Sequence, residues 1–244
     1  MLQTTRFRAI IMRDLLTKQK CLLASIFVKL SIRYHTPSLG AEAPFGAGAG
    51  FALRYHTDYF RKAVNMNIWH DVGEDRIQPE DFIAAIEISK GSKNKYELDK
   101  QTGALILDRI LYTSTHYPAN YGFIPRTFCE DNDPVDVLVL SSESIQPLAL
   151  CRCYPIGMVS MLDDGFVDNK VIAIPFKDPS WNNYKEIEAL PPHIMQEICH
   201  FFTVYKTLED KHTAIIKIEP REVAIETIKR GIEWYKEKIL PALN

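Results

Sequence analysis

The feature that most constrains this chain is a succession of short apolar runs, each β-like and each closed by Gly, Pro or a polar turn. Residues 82–88 (FIAAIEI), 135–140 (VDVLVL), 149–159 and 170–175 are of this kind. Residues 96–99 and 104–110 alternate in polarity around Lys100-Gln101-Thr102-Gly103, a hairpin pattern in which Gly103 supplies a positive φ. Five or six strands at this spacing predict a compact barrel rather than a sheet of alternating strands and helices. Two helices are expected after them. The first opens at Pro191-Pro192 and carries Ile194, Ile198, Phe201, Phe202, Tyr205 and Leu208 on one stripe. The second covers residues 221–240 with Ile225, Ile228, Ile232, Tyr235 and Ile239 on its apolar face. Both stripes read as packing against the barrel, so the fold class is α+β and mainly β.

The charge is unevenly distributed. The whole chain of 244 residues carries a formal net charge of −2. Residues 1–65 hold ten basic and three acidic residues, which leaves 19 basic and 28 acidic in residues 66–244. The first segment is therefore +7 and the remainder −9. The basic segment is expected to be an N-terminal extension outside the folded domain of residues 66–244, poorly structured. Its acid-poor, Ser/Thr-bearing composition fits an organellar transit peptide, an upstream stretch preceding a start at Met66, or a nucleic-acid-binding arm. The longest apolar run, residues 21–32, is cut by Lys29 and falls short of the roughly 18–20 residues that a membrane span needs. Five cysteines, an odd number, in a chain able to build its own core point to free thiols and a reducing compartment, the cytoplasm. An organelle is the alternative if the first segment targets the chain.

The chemistry gathers in the acidic residues. Glu130-Asp131-Asn132-Asp133-Pro134-Val135-Asp136 places four carboxylates in seven residues, immediately before the apolar VLVL. Pro134 favours extended backbone at Asp133, so this cluster is expected at a strand entrance with Asp131 and Asp133 on one face. Asp163, Asp164 and Asp168 form a second group around Gly165, while Glu87 and Glu97 interrupt β-patterned runs. Clustered carboxylates raise one another's pKa unless cations offset them, and an oxygen-only donor set favours hard cations. The alternative is a set of solvated turns. An EF-hand is excluded, because the central Gly and the closing bidentate Glu are missing. Anion-binding side chains occupy the same region: Lys95, Arg109, Tyr117, Tyr121, Lys170, Tyr205 and Lys206. Donors on one side and metals on the other suit phosphoryl transfer to water.

The runs KYELDKQTGALILDR (95–109), YPANYGFIPRT (117–127) and EDNDPVDVLVL (130–140) closely resemble family I soluble inorganic pyrophosphatases. The similarity continues through RCYPIGMVSMLDDGFVDNKVIAIP and HFFTVYKTLED and covers residues 67–240. This resemblance implies a five-stranded OB-like barrel flanked by helices, and hydrolysis of inorganic diphosphate with several Mg2+ ions per site, Mn2+ being a possible substitute. It further implies that Asp131, Asp136 and Asp168 hold the first metal, with Glu87, Glu97 and Asp163 around the others. Lys95, Arg109, Tyr121, Lys170, Tyr205 and Lys206 would hold the phosphoryl groups, with Tyr117 beside them, and Asp133 would be the general base. Relatives are homo-oligomers, and the short core favours a hexamer over a dimer. A nucleic-acid-binding barrel and a hydrolase of other phosphate compounds are the rival readings. The −9 balance and the aromatics set among carboxylates argue against the first, and no base- or sugar-binding element supports the second.

Overall fold

A computed structural model describes residues 66–209 and 211–243. The cysteine at position 21 and the whole basic extension lie outside the described residues. A short helix α1 (Ile68–Asp71) leads into β1 (Ile77–Gln78) and β2 (Asp81–Ile88). The hairpin β3 (Asn94–Leu98) and β4 (Leu105–Ile110) follows, then β5 (Asn120–Phe123), β6 (Asp136–Val139), β7 (Leu150–Asp163) and β8 (Phe166–Pro175). Helix α2 (Pro192–Val204), strand β9 (Thr213–Pro220) and helix α3 (Arg221–Trp234) complete the main elements. A π-helical turn (Tyr235–Ile239) and a last turn of helix, α4 (Leu240–Leu243), continue α3.

Five strands close on themselves. β2 pairs with β5, β5 with β6, β6 with β8, β8 with β7, and β7 returns to β2. Every pairing is antiparallel except β6–β8. This is the mainly β, five-stranded OB-like barrel expected of the sequence, and closure removes the free edges that an open sheet of this size would expose. β7 is long enough to serve three neighbours: Leu150–Cys153 face β2, while Gly157–Asp163 also carry β9 as an outer strand. At the β2–β5 contact a Cβ on Gly122 would stand 1.9 Å from the carbonyl oxygen of Ala85, so only glycine permits the approach. Gly103 ends the β3–β4 turn at φ +71°, as the hairpin pattern requires.

The uninterrupted VLVL run is explained by burial on both faces. Val137 and Val139 join the core shared with Trp69, Ala224, Ile228 and Tyr235, whereas Leu138 and Leu140 join the core built on Ile198, Phe201 and Phe202 of α2. β8 alternates in the same way, Val171 and Ala173 against Ile172 and Ile174. Each such side chain taken fully out of water contributes about 1.5–3 kcal/mol before entropy is counted. Pro192 sits in the first turn of α2, as anticipated.

Three expectations change. Leu208 lies beyond the end of α2 and is exposed, because the chain turns away at residues 205–209 before its apolar stripe completes. The sequence pattern predicts no strand at β5 or β9, and both are present. β5 is four residues long and contains Gly122, while β9 lies between two helices and leaves Ile216 and Ile218 exposed, so neither shows a clean period-two pattern. Among the described residues, no helix is long and apolar enough to cross a membrane.

Candidate active site

The centre of the site is fixed by the parallel register of β6 and β8, which sets Asp136 beside Lys170. Asp168 and Lys170 are two apart on β8 and so face the same way. Lys170, 2% exposed, donates to Asp136 Oδ2 at 2.8 Å, to Asp168 Oδ1 at 2.8 Å and to the Tyr121 hydroxyl at 3.0 Å. Tyr121, on β5, donates to Asp136 Oδ2 at 2.5 Å. Burial raises the pKa of Asp136 to about 6, Lys170 opposing and the Asp168 charge reinforcing. For Lys170 burial acts downward, but the charge of Asp136 and its neighbours outweighs it and holds the ammonium well above its ordinary value.

The remaining groups come from the surrounding elements. Glu87 of β2 is buried and accepts the Leu98 amide at 2.7 Å. Burial first, and then the Asp136 charge, lift its pKa to about 8, so it is protonated at neutral pH without a cation beside it. On the hairpin, Lys95 pairs with Glu97 and with Asp108 at 3.3 Å. Lys206 pairs with Asp163, next to the buried ring of Tyr205. Asp131 and Asp133 sit on a tight turn rather than extended backbone. The Asp133 amide donates to Asp131 Oδ1 at 3.0 Å, the Cys129 amide to the Asp133 carbonyl at 2.8 Å, and Asn132 adopts φ +67°. Asparagine tolerates that region better than most residues. Burial raises the Asp131 pKa, the Asp133 backbone bond opposing it.

Together these residues line one cavity of about 660 Å³, with Trp69, Tyr96, Lys100 and Phe166 completing the wall. Two of the expected site residues lie outside it. Tyr117 is 2% exposed and its ring packs behind Tyr121 against Phe201, so it supports the wall and does not form it. Arg109 stands beyond the lining, held by Asp108 at 2.8 Å and by Glu209. Sequence reading missed Glu209, one hundred residues from its partner, and Trp69 and Lys100, which carry no signal apart from their position in the folded chain.

Eight carboxylates line the cavity (Glu87, Glu97, Glu130, Asp131, Asp133, Asp136, Asp163, Asp168) against four lysines (Lys95, Lys100, Lys170, Lys206). That surplus, the raised pKa values and the buried Oδ1 of Asp163, which lacks a hydrogen-bond partner, fit an oxygen-ligated hard cation. The carboxylates do not form a ready-made cage: among the described residues, no group of three or more His, Cys, Asp or Glu side chains surrounds a single point. Ligands would be drawn from several elements, with the lysines giving up part of their present pairing.

The "Inorganic pyrophosphatase" family model matches residues 84–236. Soluble inorganic pyrophosphatase 1 of Arabidopsis thaliana is 46% identical over 184 residues, 75% of this chain and 87% of that protein. The soluble inorganic pyrophosphatase of Zea mays is 45% identical over 184 residues, 75% of this chain and 86% of its own. Among solved structures, the inorganic pyrophosphatase of Helicobacter pylori aligns with a TM-score of 0.64 at 41% identity, over 66% of this chain and 96% of its own. That of Thermus thermophilus aligns with a TM-score of 0.66 at 37% identity, over 70% of this chain and 99% of its own. With its barrel, its carboxylate-and-lysine cavity and this similarity across nearly the full length of its relatives, the chain belongs to the family I soluble inorganic pyrophosphatases.

Proposed function

We propose that the cavity hydrolyses inorganic diphosphate to two phosphates in a Mg2+-dependent reaction, with Asp133 as general base. The observation that carries this reading is the meeting, in one cavity, of an oxygen-only carboxylate set with Lys95, Lys170, Lys206, Tyr121 and Tyr205. Asp131, Asp136 and Asp168 are the candidates for a first cation, and Glu87, Glu97 and Asp163 for further ones. Mg2+, when bound, lowers the pKa of water toward neutrality and neutralises phosphoryl oxygens.

The chain's own residues do the rest. Lys170 and Lys206, now paired with carboxylates, are placed to transfer those hydrogen bonds to phosphoryl oxygens as substrate enters. Lys95 lines the cavity from the hairpin side, and Arg109, outside the lining and held by Asp108 and Glu209, reaches a phosphoryl group only by giving up those pairs. Asp133, on the exposed turn, accepts the proton of the attacking water. The water oxygen bonds to one phosphorus, the bridging P–O bond breaks, and the second phosphate leaves with its charge offset by cations. Tyr121 and Tyr205 offer neutral donors, because burial raises both phenols above their ordinary value.

The test is phosphate release from diphosphate and from a nucleoside triphosphate, each with Mg2+ and after chelation. Strong preference for diphosphate that chelation abolishes is expected. Equal rates on the triphosphate would favour a broader phosphohydrolase, and Mg2+-independent turnover would remove the metal from the reaction. Salt-dependent association with an oligonucleotide would revive the nucleic-acid reading, which the carboxylate-rich lining opposes.

A further inference from the structure

Lys100 faces the cavity, yet the reaction above gives it no part. It follows Asp99 at the tip of the β3–β4 hairpin, and its ammonium reaches across to the acidic turn. There it pairs with Asp133 and donates to the Asn132 carbonyl at 3.0 Å. The lysine is itself seated from behind. Asn67 Nδ2 donates to the Lys100 carbonyl at 2.8 Å, and the ammonium lies 5.9 Å from the centre of the Trp69 ring. Trp69 is anchored in turn, its indole donating to the Thr127 carbonyl at 3.0 Å.

The need for such a contact is specific to Asp133. The backbone of its turn is held by Cys129 and Asp131, but the Asp133 side chain is 53% exposed. Among the described residues its one ionic partner within 4 Å is Lys100. A carboxylate so placed is free to rotate away from the cavity, and misplacing a reacting group by about 1 Å can cost on the order of 100-fold in rate. Lys100 grips both ends of the problem, the carboxylate and the carbonyl of the residue before it.

We propose that Lys100 is a positioning residue that orients Asp133 for proton transfer, and that α1 forms the seat from which it does so. The inference rests on the reading of Asp133 as general base. A bare surface ion pair would instead be worth no more than about 1 kcal/mol of stability and nothing in turnover.

The experiment is a double-mutant cycle on the full chain at saturating Mg2+, with kcat and KM for diphosphate measured separately and folding checked by thermal melting. Lys100→Met is expected to lower kcat by roughly 10- to 100-fold while KM stays within about twofold. Lys100→Arg, which keeps the ion pair, is expected to recover most of the loss. In an Asp133→Asn background, Lys100→Met should change kcat by less than about twofold. Lys100→Gln runs in the same cycle and decides the matter if the Met variant fails to fold. A raised KM with unchanged kcat would make Lys100 a substrate ligand and overturn the proposal. Equal losses in both backgrounds would overturn it too, while leaving Asp133 as the base. Near-normal turnover of Asp133→Asn alone would overturn the general-base reading and this inference with it.

Discussion

The cavity has two walls built on opposite physical terms. On the strand wall, Tyr121, Asp136, Asp168 and Lys170 are supplied by three hydrogen-bonded strands, and Lys170 is buried and shared between two carboxylates. On the turn wall, Asp131 and Asp133 stand on a short loop, with Asp133 half exposed and paired to a half-exposed lysine. Charges on the first wall are desolvated, so each depends strongly on its neighbours and little on bulk water. Charges on the second are screened and contribute little to stability. The strand wall is therefore suited to holding high charge in fixed places, and the turn wall to exchanging a proton with water.

Substitutions should separate the walls. Asp136→Asn is expected to have the largest effect, reducing diphosphate hydrolysis at least about 1,000-fold, since it removes a carboxylate at the centre of the strand wall. The fold should persist, because the amide matches the carboxylate in size and Lys170 keeps Asp168 as an ion-pair partner. Near-wild-type turnover would show that the strand wall is not where the charge matters. Asp133→Asn is expected to lower kcat by about 100- to 10,000-fold, the range for loss of a general base, with Mg2+ affinity changed by less than about threefold. A defect confined to metal affinity would make Asp133 a ligand and erase the functional distinction between the walls. Lys170→Met sharpens the comparison through stability. Removing a buried cation leaves Asp136 and Asp168 facing each other unpaired, at a cost of about 3–5 kcal/mol. For a domain of this size that is roughly 6–20 °C in Tm, against no more than a few degrees for Lys100→Met. Equal shifts for the two lysines would break the contrast.

The difference between the walls also explains what could be read from the chain. The strand wall was legible because apolar runs such as VLVL and VIAIP announce strands, and the charged residues at 136, 168 and 170 stand out against them. The hairpin was legible from alternation around Gly103. The pairing of Lys170 with Asp136 was not, since it depends on a parallel register between β6 and β8 that no local pattern encodes. Nor was the turn: Pro134 suggested extended backbone, but the Asp133 amide bonds Asp131 Oδ1 and the Asp133 carbonyl accepts the Cys129 amide in a tight loop. Arg109 and Tyr117 illustrate the remaining gap. Their residue types suit phosphate, but Glu209 draws the first to its own side and the Phe201 ring covers the second. Which of several chemically suitable side chains reaches a cavity is settled by packing at long range.

The smallest of the expected effects concerns Glu87, which joins the strand wall to the hairpin. Its pKa of about 8 in the folded, metal-free protein lies far above the ordinary carboxylate value to which it returns on unfolding. Between those two values the native state binds a proton that the unfolded chain does not. Stability should therefore fall as pH rises, the reverse of the trend for the Arg152-paired carboxylate of Asp81, whose lowered pKa confines its effect to acid. From pH 6.5 to 8 the contribution of Glu87 is on the order of 1–2 kcal/mol, a few degrees in Tm. Thermal melts of the metal-free protein across this window should show the decline, and Glu87→Gln, which cannot ionise, should flatten it. A Tm that is level or rising in the native chain would mean that Glu87 is already charged, so that the strand wall tolerates an unpaired carboxylate as easily as the turn does.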